Sequence, residues 1–186
     1  MKKLKHELSV LNAKSTIEEI EKTFDSIAET LLNYHHIRKG NTIYRLIEIE
    51  FYFCNGNHPD KATYSRTETE GRWFLHESGF DLTFNSNEKE GFYGGILVRS
   101  IMHEDSNECV FGPRNCLWEL FDGEALSQND EYPCIEPNKE ISYIAQIEKR
   151  ERYRVKGLYN QHKYRYYIAG INADKYPASP WKIQVP

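Results

Sequence analysis

The 186-residue sequence has no long apolar run and no excess of positive charge. No window approaches the roughly 18 apolar residues of a membrane span. The first ten residues also lack the apolar stretch of a secretory signal. The formal net charge is -4, so the surface as a whole has no attraction for phosphate. We therefore expect a cytoplasmic protein that does not associate with membranes.

Paired cysteine and histidine motifs are also missing. The four cysteines, at positions 54, 109, 116 and 134, include no CxxC pair, and the seven histidines show no HExxH spacing. Structural and catalytic zinc sites usually show such ligand pairs, and four dispersed cysteines are too few for a disulfide scaffold. The sequence therefore predicts free thiols, no metal site and no cofactor.

The chain is long enough for one substantial core and short for two. Hydrophobic residues make up only 39% of it, whereas aromatic residues reach 13%, so aromatic rings must supply much of the buried surface. The order of the patterns along the chain predicts a single α+β domain built on a twisted antiparallel sheet.

The N-terminal region carries a helical pattern. Ser15 followed by Glu18 has the spacing of a capping box, and apolar residues then recur at helical spacing until Gly40. We predict an N-terminal helical extension over residues 1–40, with residues 41–186 as the main domain. The apolar stripe is typical of a packing face. A protein partner bound through this helix is the alternative.

The segment from Asn41 to Cys54 alternates as a β-strand does. Glu48 and Glu50 therefore share a face with tyrosines such as Tyr52. A charged pair on so apolar a strand must be exposed, paired with a cation or used in chemistry. An edge strand with a solvated acidic side is one interpretation. Ion pairing with Arg99, which lies in the later strand pattern Ile96–Ile101, is another.

Weaker patterns complete the prediction. We predict loops at 55–71 and 122–138, strands at 72–76, 80–84, 141–147, 153–158 and 164–171, and a short helix opening at Gly112-Pro113. The last two strands are expected to pair as a hairpin.

Positive charge concentrates near the C-terminus. From Ala145 to Lys175 there are eight Lys or Arg residues and three acidic ones, with aromatic residues between them. In the predicted strands the alternating cations would share one face, a surface suited to phosphates and stacked bases. The predicted nucleic-acid-binding residues are Arg150, Arg152, Arg154, Lys156, Lys163 and Arg165. A solvated outer face of a hairpin is the alternative.

Several segments resemble the alkyladenine (3-methyladenine) DNA glycosylase family. They are YRLIEIEFYF from Tyr44, ILVRSI from Ile96, FGPRNCLWEL from Phe111, and IAGIN followed by PWKI at the C-terminus. The resemblance implies a compact α+β fold with a curved antiparallel sheet. It also implies an enzyme that flips a damaged purine nucleotide out of DNA and hydrolyses its N-glycosidic bond without a metal. Residues 41–186 would form this glycosylase-like domain.

The resemblance also implies roles for individual residues. Glu50 matches the family's carboxylate that acts on water, and Tyr52 matches the aromatic that stacks on the extruded base. Arg99 matches an arginine near the water and the sugar-phosphate backbone. Tyr64 stands where the family usually has a base-contacting histidine, and His76 falls near the second pocket aromatic. The segment that supplies the family's intercalating residue is shortened here.

The sequence thus predicts a hydrolase of DNA base-excision repair that binds DNA and releases a modified purine through water activated by Glu50. Three alternatives remain open. The same pocket could act on RNA, single-stranded DNA or free nucleotides. The chain could be a non-catalytic module that binds nucleic acid or protein. Glu50 and Arg99 could also form only a structural pair, with the site elsewhere, near His58, Asp60 and Tyr64.

Overall fold

The computed structural model describes residues 2–121, 132–139 and 144–171, and the structural statements below concern these ranges. The three helices are α1 (Lys2–Ser9), α2 (Ile17–Tyr34) and α3 (Pro113–Leu120). The nine strands are β1 (His35–Lys39), β2 (Thr42–Cys54), β3 (Trp73–His76), β4 (Gly79–Thr83), β5 (Tyr93–His103), β6 (Cys109–Phe111), β7 (Cys134–Pro137), β8 (Ile147–Arg150) and β9 (Arg165–Ile168).

The strands form one antiparallel sheet that curls into a half-barrel. Its main order is β3-β4-β5-β2-β1-β7, while β6 pairs with β5, and β9 pairs with both β2 and β8. The 13-residue β2 pairs with β1, β5 and β9, so it is the central strand. The predicted α+β class with a curved antiparallel sheet is confirmed.

Helix α2 starts and ends differently from its prediction. The capping box is made by Thr16 and Glu19, one residue after the predicted pair. The helix stops at Tyr34 rather than Gly40, because residues 35–39 form β1 and pair with β2. The predicted boundary between residues 40 and 41 falls in the turn between these two strands. Helix α1, which was not predicted, buries Leu4 and Leu8 in the same core.

One face of the sheet packs against α2 through aromatic rings. The Phe24 ring of α2 stacks on Phe51 of β2 with 4.5 Å between centroids and meets Tyr164 edge-on at 5.1 Å. Phe51, Phe53 and Phe84 are fully buried. Burial of each such side chain is worth roughly 1.5–3 kcal/mol, so this face supplies the main apolar core.

The opposite face of β2 is buried as well, although it carries charge. Glu48 and Glu50 have no solvent exposure. The pairing of β2 with β5 shifts register on both sides of Glu48, which breaks the strict alternation expected from the sequence. The interpretation of β2 as an edge strand with a solvated acidic side is therefore wrong.

The C-terminal prediction needs two corrections. Strand β9 pairs with β8 rather than with residues 153–158, which are not a strand, and Leu158–Gln161 form a 3-10 helix. Arg154 and Gly157 have φ angles of 58° and 120°, which an extended strand does not accommodate. Residues 134–137, predicted as loop, form β7 against β1.

Parts of three predicted elements lie outside the described residues. These are most of the 122–138 loop, residues 141–143 of a strand, and the C-terminal segment that contains PWKI. Among the helices that are described, none has the length and apolar character needed to cross a bilayer.

Candidate functional site

A cavity of 240 Å³ opens on the charged face of the sheet, where β2, β4 and β5 lie side by side. Tyr52, Tyr64, His76 and Arg99 line it, so the structure brings together four of the five residues singled out for catalysis or substrate binding. The Tyr64 and His76 rings lie 4.7 Å apart, and Tyr64 stands at the rim with 40% of its surface exposed.

The fifth residue, Glu50, lies directly behind this lining. Its Oε2 accepts a hydrogen bond from the Tyr52 hydroxyl at 2.8 Å and lies 3.3 Å from Arg99 Nη1. Its Oε1 accepts from the backbone N–H of Tyr153 at 2.7 Å. Burial and the Glu50 carboxylate raise the pKa of Tyr52, so the phenol keeps its proton and remains a donor.

Arg99 also pairs with Glu48. Its Nε lies 3.1 Å from Glu48 Oε1, and the same carboxylate accepts from Arg165 Nε and from Ser100 Oγ at 2.7 Å. The prediction that Arg99 pairs with a strand carboxylate is confirmed. Because Arg99 also lines the cavity, ion pairing and a substrate-directed role are compatible at this residue.

Arg152 supports the cavity from behind. Its side chain has no exposed surface and its Nη1 lies 2.6 Å from Asp60 Oδ2. The guanidinium carbon lies 4.5 Å from the centroid of the Tyr52 ring, a cation–π contact. Arg165 is buried on Glu48 in the same way. The predicted basic strand face is therefore wrong for these two residues, whose side chains point into the protein.

The other four predicted phosphate-binding residues, Arg150, Arg154, Lys156 and Lys163, are exposed. Two of them alternate with cavity residues, because Tyr153 and Val155 line the cavity while Arg154 and Lys156 face solvent. Arg114 is also exposed, next to the cavity-lining Pro113. The cations that accompany the cavity are thus fewer than predicted.

His58 and Asp60, considered as part of an alternative site, do not line this cavity. His58 is fully buried, with Nδ1 2.7 Å from the Phe53 carbonyl and Nε2 3.0 Å from the Tyr164 hydroxyl. Burial lowers the pKa of His58. Asp60 neutralises Arg152. Both residues hold the 55–67 segment in place over the sheet, and Tyr64 alone of that trio reaches the cavity.

Two residues that line the cavity and bear on the chemistry of the cavity were not predicted from the sequence. They are Asp81 and Tyr153. Asp81 had a detectable signal, since it is the one charged residue within the apolar strand pattern FDLTF. Tyr153 had none, because its position depends on a backbone turn that the predicted strand excluded.

Potential metal ligands are sparse around the cavity. Within residues 2–121, 132–139 and 144–171, no group of three or more His, Cys, Asp or Glu side chains could hold a metal ion. The cavity lining itself includes one imidazole, from His76, and one carboxylate, from Asp81.

Comparison with known proteins gives a distant relative of unknown function. An uncharacterized protein of Acanthamoeba polyphaga mimivirus is 26% identical over 134 residues, covering 60% of this chain. The alignment spans 62% of the viral protein's length. No family model matches the sequence.

Proposed function

We propose that this protein is an N-glycosidase that releases a modified purine base from nucleic acid, with Glu50 activating the attacking water. The observation that carries the proposal is the 240 Å³ cavity, which gathers Tyr52, Tyr64, His76 and Arg99 in front of the Glu50 carboxylate. Cavities for drug-sized ligands measure about 300–1,000 Å³. A smaller space lined by aromatic rings suits one nucleobase.

Glu50 is equipped for its part in the reaction. A carboxylate has about four lone-pair positions, and three donor groups approach Glu50: the Tyr52 hydroxyl, Arg99 and the Tyr153 N–H. One position is therefore left for a hydrogen bond from a water, which has to pass the Tyr52 and Arg99 side chains that separate Glu50 from the cavity. The water oxygen bonds to C1′ as the C1′–N bond breaks. The bond's electron pair leaves with the base, and the proton lost by the water is balanced by protonation of the base.

The aromatic residues hold the base, and the cations hold the rest of the nucleotide. Tyr52 is fixed between the cavity and Arg152, so its ring presents a rigid stacking surface. Arg99 lies beside Glu50, where its guanidinium orients the carboxylate and can contact a phosphate oxygen of the nucleotide. Exposed Arg154 and Lys156 stand next to cavity residues, where they can contact the flanking phosphates.

The charge balance bears on the range of nucleic-acid substrates. With a formal net charge of -4 and few exposed cations beside the cavity, the protein suits single-stranded or mononucleotide substrates as well as duplex DNA. The test is mass spectrometry of free bases released from alkylated and deaminated DNA, RNA and nucleotides.

The decisive variant is Glu50→Gln, which keeps the side-chain shape. General-base assistance is worth about 10²–10⁴-fold, so base release should fall by at least about 100-fold while the fold is retained. Glu108→Gln, at an exposed position, is the matched control and should release base at the wild-type rate. Equal rates for wild type and Glu50→Gln would contradict the assignment of Glu50.

A non-catalytic binding module is the second candidate, and one observation favours it. Glu50 is completely buried and engaged by three protein groups, as a purely structural carboxylate would be. This candidate predicts that the wild-type protein binds nucleic acid but releases no base from any substrate. It also predicts that Glu50→Gln lowers the melting temperature and has no other effect.

A further inference from the structure

Asp81 lines the cavity on the opposite side of Leu97 from Glu50. In the sheet, Leu97 of β5 pairs with Glu50 of β2 on one side and with Asp81 of β4 on the other. Directly paired residues point to the same face, so the two carboxylates flank Leu97 across three strands. Two strand spacings separate their backbones by about 10 Å. The cavity, lined by both Asp81 and Leu97, lies along this row.

Two side chains, Arg66 and His76, hold the Asp81 carboxylate in place. Its Oδ2 lies 2.6 Å from Arg66 Nη2, and its Oδ1 lies 3.1 Å from His76 Nε2. Arg66 is itself almost fully buried, with its guanidinium 4.1 Å from the centroid of the Phe74 ring. Arg66 therefore compensates the charge of Asp81 and fixes the orientation of its carboxylate.

Gly95 makes room for this arrangement. A Cβ at position 95 would lie 2.5 Å from Arg66 Nη1 and 2.8 Å from Asp81 Cβ. Any side chain there would displace the ion pair. The carboxylate is thus seated against bare backbone, which holds it on the cavity wall.

The other polar side chains that line the cavity near Asp81 already have protein partners. His76 Nε2 is engaged by Asp81, and His76 Nδ1 lies 3.3 Å from the backbone nitrogen of Ser78. The Ser78 and Tyr64 hydroxyls lie 3.2 Å from each other at the exposed rim. A carboxylate offers about four lone-pair positions, so Asp81 can accept a further hydrogen bond although it already meets two donors.

We propose that Asp81 determines base specificity by accepting a hydrogen bond from an exocyclic amino group, so that the cavity selects amino-bearing purines over their deaminated, oxo-bearing counterparts. This proposal rests on the proposed function. An ionised carboxylate only accepts hydrogen bonds, and the amino group of adenine is a donor. The O6 of hypoxanthine is an acceptor. It and the Asp81 carboxylate would face each other without a proton to share, which is unfavourable.

The test measures equilibrium binding of free bases in two matched pairs, in each of which a C6 amino group is exchanged for a C6 oxo group and its accompanying ring N–H. The pairs are adenine with hypoxanthine, and 3-methyladenine with 3-methylhypoxanthine. The proteins are wild type and Asp81→Asn, with Asp105→Asn as a control for loss of an exposed carboxylate. A good hydrogen-bonding pair discriminates by about 1–3 kcal/mol, so the wild type should bind the amino base about 5–150-fold more tightly.

In Asp81→Asn the preference should vanish or reverse, because an amide can donate to O6. Asp105→Asn should keep the wild-type ratio. Equal or weaker binding of the amino bases by the wild type overturns the proposal, and so does failure of the wild type to bind any of the four bases. The wild-type ratio alone can overturn the proposal even if Asp81→Asn does not fold, which circular dichroism would show.

The binding assay also separates this proposal from the proposed function. An amino preference in binding, together with no base release from any nucleic acid, would support the role of Asp81 and reject the N-glycosidase. Base release with no amino preference would support the N-glycosidase and reject the role of Asp81.

Discussion

The two faces of β2 are both buried, but they are stabilised in different ways. Phe51 stacks on Phe24 of α2, and Ile49 is fully buried, so both depend on volume and shape. Glu48 and Glu50, one residue away in each case, are surrounded by charged partners and donors. The apolar face tolerates changes that preserve volume, whereas the charged face requires that each carboxylate keep its partner.

The charged face balances its charges. Four buried carboxylates meet four buried guanidiniums, namely Glu48, Glu50, Asp60 and Asp81 with Arg66, Arg99, Arg152 and Arg165. Such pairs add little net stability over apolar packing, because desolvation offsets the attraction. Their presence around a cavity instead fits a site in which oriented charge is used.

The largest difference in the free energy of unfolding is expected between two neighbouring substitutions on opposite faces of β2. Glu48→Gln preserves volume but leaves Arg165 without its carboxylate, and should lower the free energy of unfolding by about 3–5 kcal/mol. Ile49→Val removes one methyl group from the apolar face and should cost about 0.5–1.5 kcal/mol. Urea denaturation measures both. Similar costs for the two variants would show that the faces do not differ as described.

A smaller effect is expected from pH. Burial lowers the pKa of His58 below its usual value near 6.5, so the folded protein disfavours the imidazolium. Stability should be complete above about pH 6.5 and fall as the pH drops toward the folded-state pKa. Melting temperatures at several pH values measure this fall.

The substitution His58→Gln should make the pH dependence shallower, and His6→Gln, at an exposed position, is the matched control. The His58→Gln variant should keep part of the pH dependence, because burial also lowers the pKa of His35. An identical pH profile for wild type and His58→Gln would contradict this account.

The smallest effect on stability is expected at the exposed cations. Arg154→Gln should change the free energy of unfolding by less than about 0.5 kcal/mol. If Arg154 contacts phosphate, its loss should reduce the slope of log binding constant against log salt by about 0.7 on a single strand. Arg152→Gln should instead destabilise the fold, because it removes the partner of Asp60. If the salt dependence of binding is unchanged in Arg154→Gln, Arg154 does not contact nucleic acid.

Much of the fold was predictable because local patterns and tertiary structure agree. Strands β2, β3, β4 and β5 and the Pro-initiated α3 appear where periodicity and turn residues predict them. The errors arise where tertiary pairing overrides local preference. Residues 35–39 continue a helical pattern, yet they form β1 because β2 and β7 offer hydrogen-bonding partners on both sides.

The candidate site was predictable only in part. The resemblance and the strand pattern identified Tyr52, Tyr64, His76 and Arg99, which the fold gathers around one cavity. Whether a cation is buried could not be read from the sequence. Arg152 and Arg154 are both flanked by acidic, aromatic or apolar neighbours, but only Arg152 meets a carboxylate 92 residues away. Long-range partners of this kind leave no local signal.

The contact between Arg152 and Asp60 also bears on the order of folding. It joins two segments that cover the charged face and that lie far apart in the chain. Contacts of such large sequence separation carry a high loop-closure entropy, so we expect this contact to form after the shorter-range stacking of Phe24 on Phe51 between α2 and β2. The α2–β2 part of the core would then form before the cavity, and a chain emerging from synthesis would be partly compact while Glu50 still lacked its cover.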